Sequence, residues 1–219
     1  MIKTLKAAQE IAGKMSISNS KMPGSTFPTS TTKCPTGQKL AKVPGSVCEQ
    51  CYATRIEKIR PNVAAGWLKN WTKTMRTLAS DPAQWVEASA YQINHYHKRT
   101  GQRYHRWFDS GDLENKAMLQ SIVDVAKATP DFRHWLPTKE KKLIRAYLKN
   151  NTLPDNLVVR VSSAMIDQGP LSGFRNTSTV HRDQDPVGHS CPAKYQGHSC
   201  GNCRACWDPT VPNVSYPKH

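Results

Sequence analysis

The sequence predicts an α/β fold, and three observations predict it. From Arg103 onward, strand-like and helix-like stretches alternate at short intervals, the rhythm of a parallel sheet with crossover helices. The expected strands end in small or polar residues: Asp109-Ser110-Gly111-Asp112, Thr138-Lys139 and Ser162-Ser163. Right-handed crossovers put all such ends on one edge of the sheet, where α/β folds gather their sites. Lastly, all seven cysteines lie outside the alternating region, in a group of three (Cys34, Cys48, Cys51) and a group of four (Cys191, Cys200, Cys203, Cys206).

Taken in order, residues 1–12 read as a short amphipathic helix, with Leu5, Ala8 and Ile11 or Ala12 at helical spacing. Residues 14–18 alternate like a brief strand, and 19–33, rich in Ser, Thr, Pro and Gly, read as loop. A cysteine-bearing loop over 34–51 runs into a helix that lasts to about residue 58. Pro61 punctuates it, and a second helix follows over 63–80, with Trp67, Trp71, Met75 and Leu78 on one face. Asp81-Pro82 supplies a helix cap with proline at the first helical position, starting a helix that ends near residue 99. Strands are expected over 104–108, 134–136 and 157–161, and helices over 113–127 and 139–149. Asp109 and Asp112, just before the first of these two helices, suit a cap and a ligand role equally. Beyond residue 166 the pattern decays into turns, with one possible strand at 178–181. The final thirty residues are cysteines, Gly, His and Pro that would depend on a metal for order.

The chain is long enough for one core. It has no run of about 18 apolar residues, and its start lacks the apolar segment of a signal peptide, so a cytoplasmic, reducing location without membrane contact is expected. There, cysteines at C-x2-C spacing are metal ligands more often than disulfides. Seven cannot pair completely, whereas three plus four matches one cluster with an open corner and one that is closed. Cys200-x2-Cys203-x2-Cys206 lets a chain wrap a single cubane, and Cys191, followed by Pro192, supplies the fourth thiolate. A four-cysteine zinc knot uses similar spacing and remains the alternative. The formal charge of +15 suggests an acidic redox partner or an acidic substrate, or a nucleic acid, although the cations are scattered without a dense run.

The C-x2-C-Tyr-Ala ending at Cys48 to Ala53, the Asp-Ser-Gly-Asp after one strand, Thr-Lys after the next and Val-Ser-Ser after the third resemble the radical S-adenosylmethionine (SAM) superfamily. Residues 14–216, including Cys-Gly-Asn-Cys-Arg-Ala-Cys-Trp at 200–207, are also similar to the phage-encoded gene product 88 family. The superfamily resemblance implies a partial (β/α) barrel over 1–185 and a cysteine-rich cluster-binding extension over 186–219 packed on it. It implies that Cys34, Cys48 and Cys51 hold a 4Fe-4S cluster whose open iron chelates SAM. Gly111 and Asp112 would meet the amino group, Ser162 or Ser163 would contact the ribose, and the reduced cluster would cleave the sulfonium.

Three functions therefore compete: a radical SAM-type enzyme, a SAM-independent electron-transfer or cluster-carrier protein with one or two 4Fe-4S clusters, and a zinc-stabilised basic module that binds nucleic acid.

Overall fold

The computed structural model describes residues 2–17 and 21–218. Its elements are α1 (Leu5–Ala12), β1 (Ser25–Phe27), α2 (Gly37–Leu40), α3 (Tyr52–Ile59), α4 (Pro61–Ser80), α5 (Pro82–Thr100) and β2 (Tyr104–Trp107), followed by α6 (Lys116–Ala128), β3 (Arg133–Thr138), α7 (Lys141–Leu148), β4 (Leu157–Ser162), β5 (Thr177–His181), β6 (His189–Ser190) and β7 (Asn213–Pro217). Among the described residues, seven strands form one parallel, open sheet of order β1-β2-β3-β4-β5-β7-β6. No helix among them is long and apolar enough to cross a membrane.

The α/β expectation holds, with three corrections. The first strand is β1, inside the segment read as loop. The earlier stretch contributes only a bridge, in which Ser16 and Thr26 exchange two 2.9 Å backbone hydrogen bonds. Met1 and residues 18–20, which end the expected strand and begin the expected loop, lie outside the described residues. The helix expected from residue 113 starts at Lys116, and its cap is Asn115, whose Oδ1 accepts from Met118 N, so neither Asp109 nor Asp112 caps it. The last correction concerns residues 186–219, where Val214, Ala205 and Trp207 are buried and β6 and β7 extend the same sheet as the body.

Strand alternation divides the sheet into two unlike faces. On the outer face Phe27, Trp107, Leu136, Leu157, Val159 and Val161 share one apolar core with Ala8, Ala12, Leu78, Trp85, Ile93, Leu119, Ile122 and Ile144 of the helices. Trp85 stacks on Trp107 at 5.8 Å, and Phe27 meets both edge-on. On the inner face the one-turn helix Ala205–Trp207 packs on β3 and β4. There the cysteine-rich segment folds back over the strands, so that Trp207 meets Tyr104 and Trp135 at 5.4 and 5.2 Å and donates from Nε1 to the backbone oxygen of His105.

Two histidines sit in the outer core. His105 Nδ1 is 2.8 Å from Ser25 Oγ, and His134 Nε2 is 2.9 Å from Thr129 Oγ1. Burial holds His105 well below its ordinary range and His134 down at about 3, so both are neutral in the fold. A folded pKa below the unfolded value of about 6.5 makes the unfolded chain the better proton binder at lower pH. Stability present above about pH 6.5 is therefore lost on acidification, by about 1.4 kcal/mol per pH unit for each histidine. Asp112, raised by burial to about 6, opposes this in part, as do Asp109 and Glu114, which burial also raises. Denaturant midpoints measured between pH 7 and 5 should fall, and His134→Gln should flatten the decline.

Candidate metal centres

The first three cysteines are placed by a loop that is pinned at several points. A one-turn helix over Thr31–Lys33 ends at Cys34, whose N–H donates to Thr31 O. The Glu57 carboxylate, from α3, accepts from both the N–H and the hydroxyl of Thr31 and so fixes that turn. The rest of the loop is tied to the end of β4 by Val47 N to Ala164 O (2.9 Å) and Ile166 N to Gly45 O (3.0 Å). Cys51 is the residue before the first turn of α3, so the helix start fixes its backbone.

Gly37 shows how close the approach is. A Cβ there would stand 2.8 Å from the Cys34 Cβ, 3.6 Å from its sulfur and 3.9 Å from the sulfur of Cys48. The missing side chain leaves a cradle between two thiols.

Beside that cradle lies Asp112. Its Oδ1 accepts from Thr138 Oγ1 (2.6 Å) and Leu113 N (2.7 Å), and its Oδ2 from Lys139 N (2.9 Å), so one carboxylate clasps the ends of β2 and β3. Burial pushes the Cys34 thiol far up, with the Asp112 charge adding to it, and raises Cys48 despite the Lys139 ammonium nearby. As free thiols these groups stay protonated at neutral pH. A coordinated metal is what would ionise them.

The four C-terminal cysteines gather on the inner face around different chemistry. Arg160 of β4, fully buried, donates to five carbonyls: Nε to Cys206, Nη1 to Thr177 and Val211, Nη2 to Ala205 and Asp208. That fork folds residues 205–211 over the sheet. The Cys206 sulfur is 3.2 Å from the Tyr216 hydroxyl, and the Cys203 sulfur is 3.4 Å from His189 Nε2. Burial pushes Cys206 up to about 12 and also raises Cys191 and Cys200, and Cys191 lies close enough to each of the other three to be felt electrostatically.

Arg106 of β2 stands between the two groups. Its guanidinium lies 4.6 Å over Trp135, and the charges that act on it belong to Tyr52 and Asp109 on one side and Tyr216 and Cys206 on the other. Asp109 reaches the inner face because Phe108 adopts a left-handed backbone (φ 50°), costly for an aromatic residue. Thr26 Oγ1 donates to its Oδ2, while its Oδ1 and the Nε of Arg106 are buried without hydrogen-bond partners. Among the described residues neither Arg106 nor Arg160 is in an ion pair with a carboxylate.

Of the expected SAM contacts, all four stand at strand ends and all are engaged within the chain. Gly111 has φ 90°, and a Cβ on it would lie 1.8 Å from Thr29 Oγ1, so close packing explains the glycine. Asp112 makes the three bonds above. Ser162 Oγ is 2.8 Å from Ser178 Oγ, and Ser163 Oγ donates to Gly169 O while its carbonyl accepts from Lys139 Nζ. Arg106, Arg160, Tyr216 and Gly37 were not singled out from the sequence, and Tyr52 was noted there only as part of the C-x2-C-Tyr-Ala motif. Tyr52 and Gly37 lie beside the cysteine motif and were the accessible ones.

Whether a metal fits depends on its kind. No three His, Cys, Asp or Glu side chains among the described residues converge enough to hold a single ion. Tetrahedral zinc, with Zn–S near 2.3 Å, needs sulfurs about 3.8 Å apart. A cubane is itself several ångström wide and asks for thiols that surround a space, as Cys34 and Cys48 surround the Gly37 cradle.

The model of the family described as gene product 88 matches residues 2–209. The chain belongs to the gene product 88 family. A search of curated proteins finds no match, and neither does a search of solved structures.

Arg160→Met should cost at least about 3 kcal/mol, since five carbonyls lose a charged donor, and Arg160→Lys should recover only part of it because an ammonium lacks the fork. Thermal unfolding of the purified variants checks both. Gly111→Ala should destabilise by about 2 kcal/mol or more through strain and overlap with Thr29.

Proposed function

We propose that this gene product 88 family member is an iron–sulfur redox protein with two 4Fe-4S centres, one on Cys34, Cys48 and Cys51 and one on Cys191, Cys200, Cys203 and Cys206. The observation that carries this reading is a pair of arginines on the inner face without a close carboxylate partner. Arg160 is fully buried and Arg106 half-buried, both next to thiols, and among the described residues neither is within ion-pair distance of a carboxylate. Burying an unpaired cation is expensive. A thiolate-ligated cluster carries net negative charge, and in that space it would supply the missing counter-ion.

The clusters supply one-electron chemistry when bound. The chain's own groups do the rest: Trp207, next to Cys206, packs on Tyr104 and Trp135, Tyr216 and His189 hydrogen-bond two of the C-terminal sulfurs, and the loop over 34–51 keeps Cys34 and Cys48 beside Asp112. The internal bonding of Gly111, Asp112, Ser162 and Ser163 favours electron transfer without SAM. The second reading, a radical SAM-type enzyme, draws on the open parallel sheet and on a three-cysteine set with a free corner at its strand ends.

Anaerobic purification with iron, sulfide and zinc analysis tests the proposal. Iron and sulfide near eight per chain are expected, and Cys51→Ala and Cys203→Ala should each remove about half. Zinc without iron sinks the reading. A SAM-induced change in the EPR signal of the reduced protein would move the function to the second reading; an unchanged signal is expected for the first.

A further inference from the structure

Resting on the iron–sulfur reading above, the inference concerns how the two centres differ. Their surroundings are of opposite sign. Around Cys34 the neighbouring charges are carboxylates: Asp112 and Glu114 act on it, and Glu140, which accepts from Thr36 N at 2.8 Å, is held two residues away. Lys139 is the one cation felt at Cys48, and its ammonium is tied to Ser163 O. No side chain among the described residues donates a hydrogen bond to the sulfurs of Cys34, Cys48 or Cys51.

The C-terminal group is the reverse. Arg204 and Arg106 act on Cys200, while Arg160 and Arg106 act on Cys206. Two of its four sulfurs have a polar side chain in place, Tyr216 at 3.2 Å from Cys206 and His189 at 3.4 Å from Cys203. Cluster potentials rise with nearby positive charge and with hydrogen bonds to the sulfurs, because both stabilise the extra electron, and they fall beside carboxylates. Apart from the Lys139 charge at Cys48, these effects point the same way here.

We propose that the two centres form an ordered redox pair in which the C-terminal centre has the higher reduction potential, with Tyr216 and His189 as the positioning residues that raise it through their bonds to Cys206 and Cys203. One electron from a low-potential one-electron carrier then enters the N-terminal centre and passes to the C-terminal one. The first is oxidised and the second reduced by the same single electron, and no proton or bond changes place. The groups between them are Tyr52, which follows Cys51 and donates from its hydroxyl to Asp109 O, and Arg106, which faces both sides.

The test uses full-length protein reconstituted anaerobically with iron and sulfide. EPR-monitored potentiometric titration is run on the wild type, on Cys34→Ser/Cys48→Ser, which isolates the C-terminal centre, and on Cys200→Ser/Cys203→Ser, which isolates the N-terminal one. At one electron per wild-type chain, where the solution potential lies midway between the two centres, the C-terminal signal is expected in at least tenfold excess, a separation of about 120 mV or more (twice about 59 mV). Tyr216→Phe, with iron content unchanged, should lower the C-terminal potential and leave the N-terminal one where it was. Should Tyr216→Phe lose iron, His189→Gln provides the same comparison at the other sulfur. Equal or inverted potentials, iron for one centre only, or no shift in a variant that keeps its iron would overturn the pair. Absence of iron and sulfide altogether would instead overturn the reading beneath it.

Discussion

The fold rests on one buried guanidinium. Arg160 enters the inner face of the central strand β4 and donates there to carbonyls of β5 and of residues 205–211. Each bond from a charged donor is worth more than a neutral one. Together they hold the 205–211 turn against the sheet, which sets Cys206 and Trp207 and brings the chain to β7, between β5 and β6. The last cysteine cluster is therefore built into the sheet.

That arrangement follows from a sheet that is clothed unevenly. Helices cover one face of β1 to β4, and their aromatic and aliphatic core accounts for most of the buried apolar surface. The opposite face is lined by Arg106, Trp135, Arg160, Ser162 and Tyr216, residues that a helix packed on top would leave partly unsatisfied. A cysteine-rich strap with few apolar side chains covers it instead. Charge on this face and thiols in the strap make sense together, since each is costly to bury alone and less so beside the other.

The two cysteine groups differ in electrostatic setting, and the difference arises from local structure. Asp112 is buried at the first group because it clasps two strand ends, a job that needs an acceptor facing Thr138 and Lys139. Arginines crowd the second because long cationic side chains from β2 and β4 reach across the inner face to the carbonyls, rings and sulfurs of the strap. Both settings would impose themselves on any group that bound.

Much of the fold could be read from the chain. Helical spacing of Trp, Leu and Ile marked α4 to α7, Asp81-Pro82 marked the start of α5, and β-branched runs marked β4, because local propensity and burial agree there. Strand β1 was missed because only Phe27 of its three residues is strongly apolar, and its place comes from pairing with β2. β7, Asn-Val-Ser-Tyr-Pro, was missed because proline and polar residues mimic a loop, and it is a strand only because β5 and β6 flank it. By itself the sequence determined the α/β class, the strand ends that carry polar residues and the division of the cysteines into three and four, since all of these depend on neighbours along the chain. Only the tertiary structure decided that Gly111 serves packing, that the serines are bonded internally, and that arginines from β2 and β4 stand beside the distant cysteines. Those facts rest on contacts between residues tens to more than a hundred positions apart, which no local pattern encodes.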